Sequence, residues 1–422
     1  MPEKNMHRYG YKGKEFYFEN VPVKKVAAEV GTPFYLYSVN TFLDHYHKLA
    51  KAFRSIPTLI CFSMKANSNL TILKSLVNQG AGLDIVSGGE LYRAKKVGVD
   101  PQKIVFASVG KTEEEIALAI KTGILFFNVE SLPELEEINR VAKSIGKKTQ
   151  VALRINPDVP APTHEYITTG SLKKKFGIDL RTTRAIFKSR HKYTHIAING
   201  VHIHIGSQIT SGDPFVGAIK KVVNFINDLR GEGINVEYLD IGGGLGIIYK
   251  DEKPQTAAQY AAKVVPILAK TGLKIIMEPG RFIVGNAGIF VTRVVYVKDN
   301  GVKKFVIVDG GMNDLIRPTL YDAYHEIVPV QKTSAGKVQV DVVGPICESG
   351  DFFAHGRLLP KVKRGDLLAV MSAGAYGYVM SSNYNVRPRV PEVMVRGHRF
   401  EVTKKREEFK DLVRGETIPS FL

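Results

Sequence analysis

The residues of this chain best suited to do chemistry are a lysine, a histidine, a glycine run and a glutamate, each closing an apolar stretch. Lys65 ends the run Leu59-Ile60-Cys61-Phe62 and sits inside Ser63-Met64-Lys65-Ala66-Asn67-Ser68-Asn69. The apolar run predicts a buried strand, and the asparagines and serine that follow break the pattern and cap a helix over 70–77. An ammonium at the end of a buried strand is costly. The same surroundings make an amine a usable nucleophile for Schiff-base chemistry. A surface lysine that snorkels from a strand end has the same local pattern, so the remaining sites decide between the two.

Gly242-Gly243-Gly244 follows Asp240-Ile241 and would expose backbone N–H groups in a tight turn, a cradle for phosphate. A merely flexible turn reads the same way. Glu278, before Pro279-Gly280-Arg281, either pairs with Arg281 or hydrogen-bonds a ring nitrogen. His204, in Val201-His202-Ile203-His204-Ile205-Gly206-Ser207-Gln208, is either a satisfied core histidine or a flat surface for an aromatic cofactor. His202 shares its face and takes no role. Asp84 and Arg154 stand in two further apolar stretches. A reactive lysine, a phosphate cradle and a carboxylate for a ring nitrogen are together what pyridoxal phosphate needs. No resident metal is expected.

These residues need a scaffold. Strand candidates at 59–65, 82–87, 104–109, 125–129, 150–156, 200–206, 236–241 and 274–278 alternate with helical segments that include 89–97, 112–121, 132–145, 215–229 and 257–270. Such alternation predicts an α/β fold with a parallel sheet, and eight units predict a (β/α)8 TIM-like barrel. An open doubly wound sheet is the alternative, weakened because no GxGxxG follows the first strand. In a barrel the site lies at the C-terminal strand ends, where six of these strands deliver polar residues.

After 285 the texture is β-rich, with strands expected at 289–297, 304–308, 338–343 and 366–371, another at 396–402 and a terminal helix at 407–413. Residues 1 to about 30 read as a strand region, 32–37 as a further strand and 40–53 as a helix. The expected organisation is a barrel over 30–285 and a second, all-β domain built from 1–29 with 286–422. At 422 residues the chain is long enough for both.

The formal net charge is +18. It would suit nucleic acid, anionic small molecules or solubility. The basic residues are scattered, however, and the densest run, Lys404-Lys405-Arg406, is followed at once by Glu407-Glu408. That is the pattern of a solvated helix face, so no nucleic-acid partner is expected. Two cysteines form no disulfide framework, which fits a reducing, cytoplasmic setting. The first residues carry no apolar signal region, and no apolar run is long enough to span a membrane.

As a set, Ser63-Met64-Lys65-Ala66-Asn67, His204-Ile205-Gly206-Ser207-Gln208, Gly242-Gly243-Gly244, Glu278-Pro279-Gly280-Arg281, Gly344-Pro345-Ile346-Cys347-Glu348-Ser349 and Gly374-Ala375-Tyr376-Gly377 resemble the diaminopimelate decarboxylase family. This is a branch of the fold-type III pyridoxal-phosphate enzymes, with alanine racemase and ornithine decarboxylase. The resemblance covers nearly the whole chain and implies an alanine racemase-like fold. It implies that Lys65 carries the cofactor as a Schiff base and that His204 stacks on the ring. Asp84, Ser207, Gly243, Gly244, Pro279, Gly280 and Arg281 would complete the cofactor contacts, and Tyr376 would touch phosphate and substrate. Arg281, Arg317 and Tyr321 would hold the substrate.

Cys347 and Glu348 would come from the partner subunit of a homodimer with shared active sites. The Cys347 thiol is then the acid that protonates Cα, where a small buried apolar residue is the competing reading. Glu348 would pair with the far ammonium of meso-diaminopimelate. Glu278 argues against racemase chemistry, since the racemase relative is expected to present an arginine there. The expected reaction is decarboxylation of meso-diaminopimelate to lysine. The alternatives are a decarboxylase of ornithine, arginine or a polyamine precursor, and a non-catalytic cofactor-binding regulatory protein.

Overall fold

The computed structural model describes residues 7–157 and 175–422. Its backbone contacts divide into two compact units. One comprises Met1–Phe42, Ile248–Asp251 and Val284–Leu422, the other Leu43–Ile247 and Glu252–Ile283.

The second unit is a closed barrel of eight parallel strands. In chain order they are Thr58–Ser63, Gly82–Ile85, Ile104–Phe106, Phe126–Val129, Thr149–Arg154, Ile196–His202, Tyr238–Asp240 and Lys274–Met277, and the last pairs with the first. All eight sequence-predicted strands are present, and so is the (β/α)8 architecture. Most are shorter than predicted at the C-terminal end, because the chain leaves the sheet at the polar residues that form the site. The helices follow local signals. Asn69 caps Leu70–Val77 by accepting from the Thr71 N–H at 2.9 Å. Thr112 and Glu115 form a capping box on Glu113–Thr122, which Gly123 ends at φ 75°. The barrel interior is packed with fully buried side chains such as Cys61, Val105, Phe126 and Ile276.

The other unit is mostly sheet. A nine-stranded sheet runs Phe352–Pro360, Lys337–Val343, Lys304–Val308, Gly288–Asp299, Phe34–Ser38, Glu392–Arg396, Arg399–Lys404. Leu367–Val370 joins it on Gly288–Asp299, and Ile327–Pro329 pairs with Leu367–Val370. Phe34–Ser38 therefore belongs to this sheet and is not a barrel strand. Tyr9–Lys12, Glu15–Phe18 and Val21–Pro22 make a small antiparallel sheet. Its Phe16, Phe18 and Val21 share a core with Phe34, Ile289 and Val393.

The expected N-terminal strand region needs one correction. Val23–Val30 is a helix, with Val23, Val26 and Ala27 buried at helical spacing. The alternating stretch before it masks this short turn of period. The helix Leu180–Lys188 and the strands Phe352–Pro360 and Glu392–Arg396 also lie outside the sequence reading. Gly356 and Pro360 broke the strand pattern in the first of these strands.

Candidate active site

The strand Thr58–Ser63 ends in a single turn of 3₁₀ helix, Met64–Ala66, which carries Lys65. The Lys65 side chain is about a third exposed, and its Nζ lies 3.0 Å from Asp84 Oδ2. Asp84 is fully buried on the second strand and also accepts from the Ser63 hydroxyl. Burial, and then the nearby Glu278 charge, push the Asp84 carboxyl up, while Lys65 opposes the shift.

The glycine run lies beside the loop that follows the eighth strand. Gly242 and Gly244 adopt φ of +66° and +102°, which side chains rarely tolerate. A Cβ on Gly243 would stand 2.2 Å from the Glu278 carbonyl oxygen. One on Gly280 would lie 2.9 Å from Ala66 Cβ, so glycine lets the eighth-strand loop pass close to the lysine turn. Arg281 Nη2 donates to Ser207 Oγ at 3.1 Å, bringing the two polar residues predicted for the phosphate together. The Gly243 N–H donates to His204 Nδ1 at 3.3 Å. Burial, then the Arg154 and Lys65 charges, hold His204 well below the usual histidine range, so its ring is neutral at pH 7.

Glu278 follows the eighth strand and is 3% exposed. Burial would push its carboxyl up. The His202 imidazole, at 3.3 Å from Oε2, outweighs that with help from Lys65 and holds it well below the usual range. Asn128 Nδ2 donates to Glu278 Oε1 at 2.9 Å. Asp84, Asn128 and His202 thus come from the second, fourth and sixth strands, and Glu278 is the residue just after the eighth. Alternate strands supply one interior layer of such a barrel, and branched aliphatic residues usually fill it. Here these four positions are polar. Arg154 stacks on Phe176, with 4.7 Å to the ring centroid, and pairs with buried Glu130. Asn128 had no place in the sequence reading, Asp240 entered it only as the residue before the glycine run with no role, and the pairing of His202 was not expected. The available signal was a lone amide in the strand Phe126-Phe127-Asn128-Val129 and an acid ending Tyr238-Leu239-Asp240.

The remaining predicted residues lie in the sheet unit. Arg317 is buried at the start of the helix Arg317–Tyr321, its guanidinium 4.7 Å from the Tyr249 ring centroid. His325 Nδ1 lies 2.8 Å from the Met371 carbonyl, which leaves Nε2 to accept from Arg317 Nη1 at 2.9 Å. Tyr376 has φ 56°, unusual for a bulky residue and of the kind that clusters at functional sites. Cys347 and Glu348 are exposed, and Asn385 Oδ1 accepts from the Cys347 N–H at 2.7 Å.

The barrel cluster fits pyridoxal phosphate. It offers an amine, a backbone cradle that a Cβ would obstruct, a neutral flat imidazole and a buried anionic carboxylate. Fold and site define a pyridoxal-dependent decarboxylase, and the family model described as "Pyridoxal-dependent decarboxylase, pyridoxal binding domain" matches residues 39–285. The chain belongs to the diaminopimelate decarboxylase family. It is 49% identical over 404 residues to diaminopimelate decarboxylase of Aquifex aeolicus, covering 96% of each chain. It is 45% identical over 413 residues to that of Pseudomonas aeruginosa, covering 98% of this chain and 99% of the other. Among solved structures, diaminopimelate decarboxylase from M. jannaschii in co-complex with L-lysine superposes with a TM-score of 0.94 at 37% identity, covering 99% of both chains.

Proposed function

We propose that the protein is a pyridoxal-phosphate-dependent carboxy-lyase that converts meso-2,6-diaminopimelate to L-lysine and carbon dioxide, the final step of lysine biosynthesis. The observation that carries this reading is the buried, anionic Glu278 gathered at one barrel mouth with Lys65 and the glycine cradle. Lys65 would hold the cofactor covalently. Gly243, Gly244, Gly280, Ser207 and Arg281 would hold its phosphate, His204 one ring face, and Glu278 the ring nitrogen. Bound there, the cofactor supplies the sink for the electron pair left at Cα when carbon dioxide departs.

The chain's own residues do the rest. Glu278 favours a proton on the ring nitrogen, because an opposite charge nearby stabilises the cationic form. Arg317, fixed by His325 and Tyr249, is a rigid fork for a substrate carboxylate. Glu348 pairs with the far ammonium. The Cys347 thiol gives a proton to Cα. The exposure of Cys347 and Glu348 on a single chain supports their delivery to a second subunit in a homodimer. Among the described residues no helix is long and apolar enough to cross a membrane, and the two free cysteines suit a cytoplasmic enzyme.

The test is to incubate the purified protein and pyridoxal phosphate separately with meso-diaminopimelate, ornithine, arginine and lysine. Carbon dioxide should be released from meso-diaminopimelate, with L-lysine as product. Release from ornithine or arginine instead would overturn the substrate assignment.

A further inference from the structure

Behind Glu278 lies a polar group that the proposed reaction leaves without a task. His202, Asp240 and Glu278 are all buried and present donor atoms within 4.8 Å of one another. Asn128 Nδ2 bridges the two acids, donating to Glu278 Oε1 at 2.9 Å and to Asp240 Oδ2 at 3.2 Å. The other Asp240 oxygen accepts from the Gly242 N–H at 2.9 Å. That contact ties the acid to the first glycine of the cradle.

Two buried carboxylates this close do not both ionise, because the second charge has neither water nor distance to relieve it. The proton belongs on the one whose neighbours favour its charge less. Lys65 and His202 both act to keep Glu278 ionised. Burial, and then the Glu278 charge itself, push the Asp240 carboxyl well up. The remaining titratable groups acting on the pair are Asp84 and Cys61, both fully buried, and His204, whose ring is held neutral. None of the three brings a positive charge.

We propose that Asn128 and Asp240 are positioning residues for Glu278, with Asn128 clamping its carboxylate and Asp240 standing beside it as a neutral, protonated acid. The pair then holds one proton and one negative charge, and the charge is on Glu278. This rests on the reading of Glu278 as the ring-nitrogen partner, but its test is independent of turnover.

The experiment is an infrared difference spectrum of the full-length holoenzyme against Asp240→Asn at neutral pH, in water and in deuterium oxide. A protonated-carboxyl C=O stretch that shifts with deuterium should be present in the parent and missing from the variant. Glu278→Gln supplies a second reading if Asp240→Asn fails to fold. With the neighbouring charge gone, the band should disappear at a lower pH than in the parent. Absence of the band in the parent, its survival in Asp240→Asn, or an unchanged titration in Glu278→Gln would each overturn the proposal. So would about one tightly held divalent metal per chain, since His202, Asp240 and Glu278 would then be ligands.

Discussion

Asp84 Oδ2 accepts from Lys65 Nζ at 3.0 Å and from the Ser63 hydroxyl, so one buried carboxylate anchors both the end of the first barrel strand and the amine just beyond it. The contact aims Lys65 into the barrel mouth. Lys65→Ala should therefore lose the near-visible absorbance band that borohydride abolishes, together with turnover, because the amine that binds the cofactor is gone. Absorbance titration with pyridoxal phosphate and a carbon dioxide assay read both. A variant that keeps band and turnover would remove Lys65 from the site.

Glu278→Gln tests the charge at the ring nitrogen. The amide keeps size and can still accept from Asn128, but it is no longer anionic. Removing a preorganised electrostatic contact of this kind costs on the order of 10²-fold in kcat. Cofactor binding, followed by absorbance, should persist. Unchanged kcat at saturating cofactor would refute the role.

Glu90 gives a pH signature. It lies in the helix Gly88–Val97, and its Oε2 accepts from the Val86 N–H at 2.8 Å. Burial first, and the Asp84 charge further, raise its carboxyl from 4.5 to about 7 against the pull of the Val86 contact. A raised folded value means that the folded state holds the proton more tightly than the unfolded chain. The resulting stability is complete below 4.5 and lost as pH rises through about 7. Glu90→Gln stays neutral and keeps the acceptor. It should be more stable than the parent at about pH 8 by on the order of 1 kcal/mol after solvent screening, with no gain near pH 4.5. Thermal melts at the two pH values measure the difference. An equal gain at both would show that the effect is not ionisation.

The strand-end residues were legible because each interrupts an apolar run where a barrel places its chemistry: Lys65, His204, Gly242 to Gly244 and Glu278. The layer behind them was not. Asn128 and Asp240 sit within or at the end of short apolar strands, and a single sequence cannot say which interior side chains meet across a barrel. Their pairing depends on register, His202 opposite Asp240 and Arg154 opposite His202. That register is set by closure of the whole sheet rather than by any local signal. The helix Val23–Val30 was missed for a more local reason, since eight residues between strands give barely two turns of period.

Cys347 gives the sharpest test of the assembly. Its thiol is exposed on the single chain, where an acid for Cα has nothing to exclude water from it. A partner that brings Lys65 to it would supply that cover. In a two-fold dimer each contact occurs twice, so one dimer would hold two composite sites. Lys65→Ala and Cys347→Ala should each be nearly inactive as homodimers. When the two are mixed and reassembled, a heterodimer carries both lesions in one site and leaves the other intact. Random pairing at equal amounts makes about half of the dimers mixed, each with one working site, so activity should return to about a quarter of the parent level. An affinity tag on one variant measures subunit exchange independently. If exchange is complete and no activity returns, Cys347 acts within its own chain or not at all. If Cys347→Ala alone keeps full turnover, the proton at Cα comes from another group.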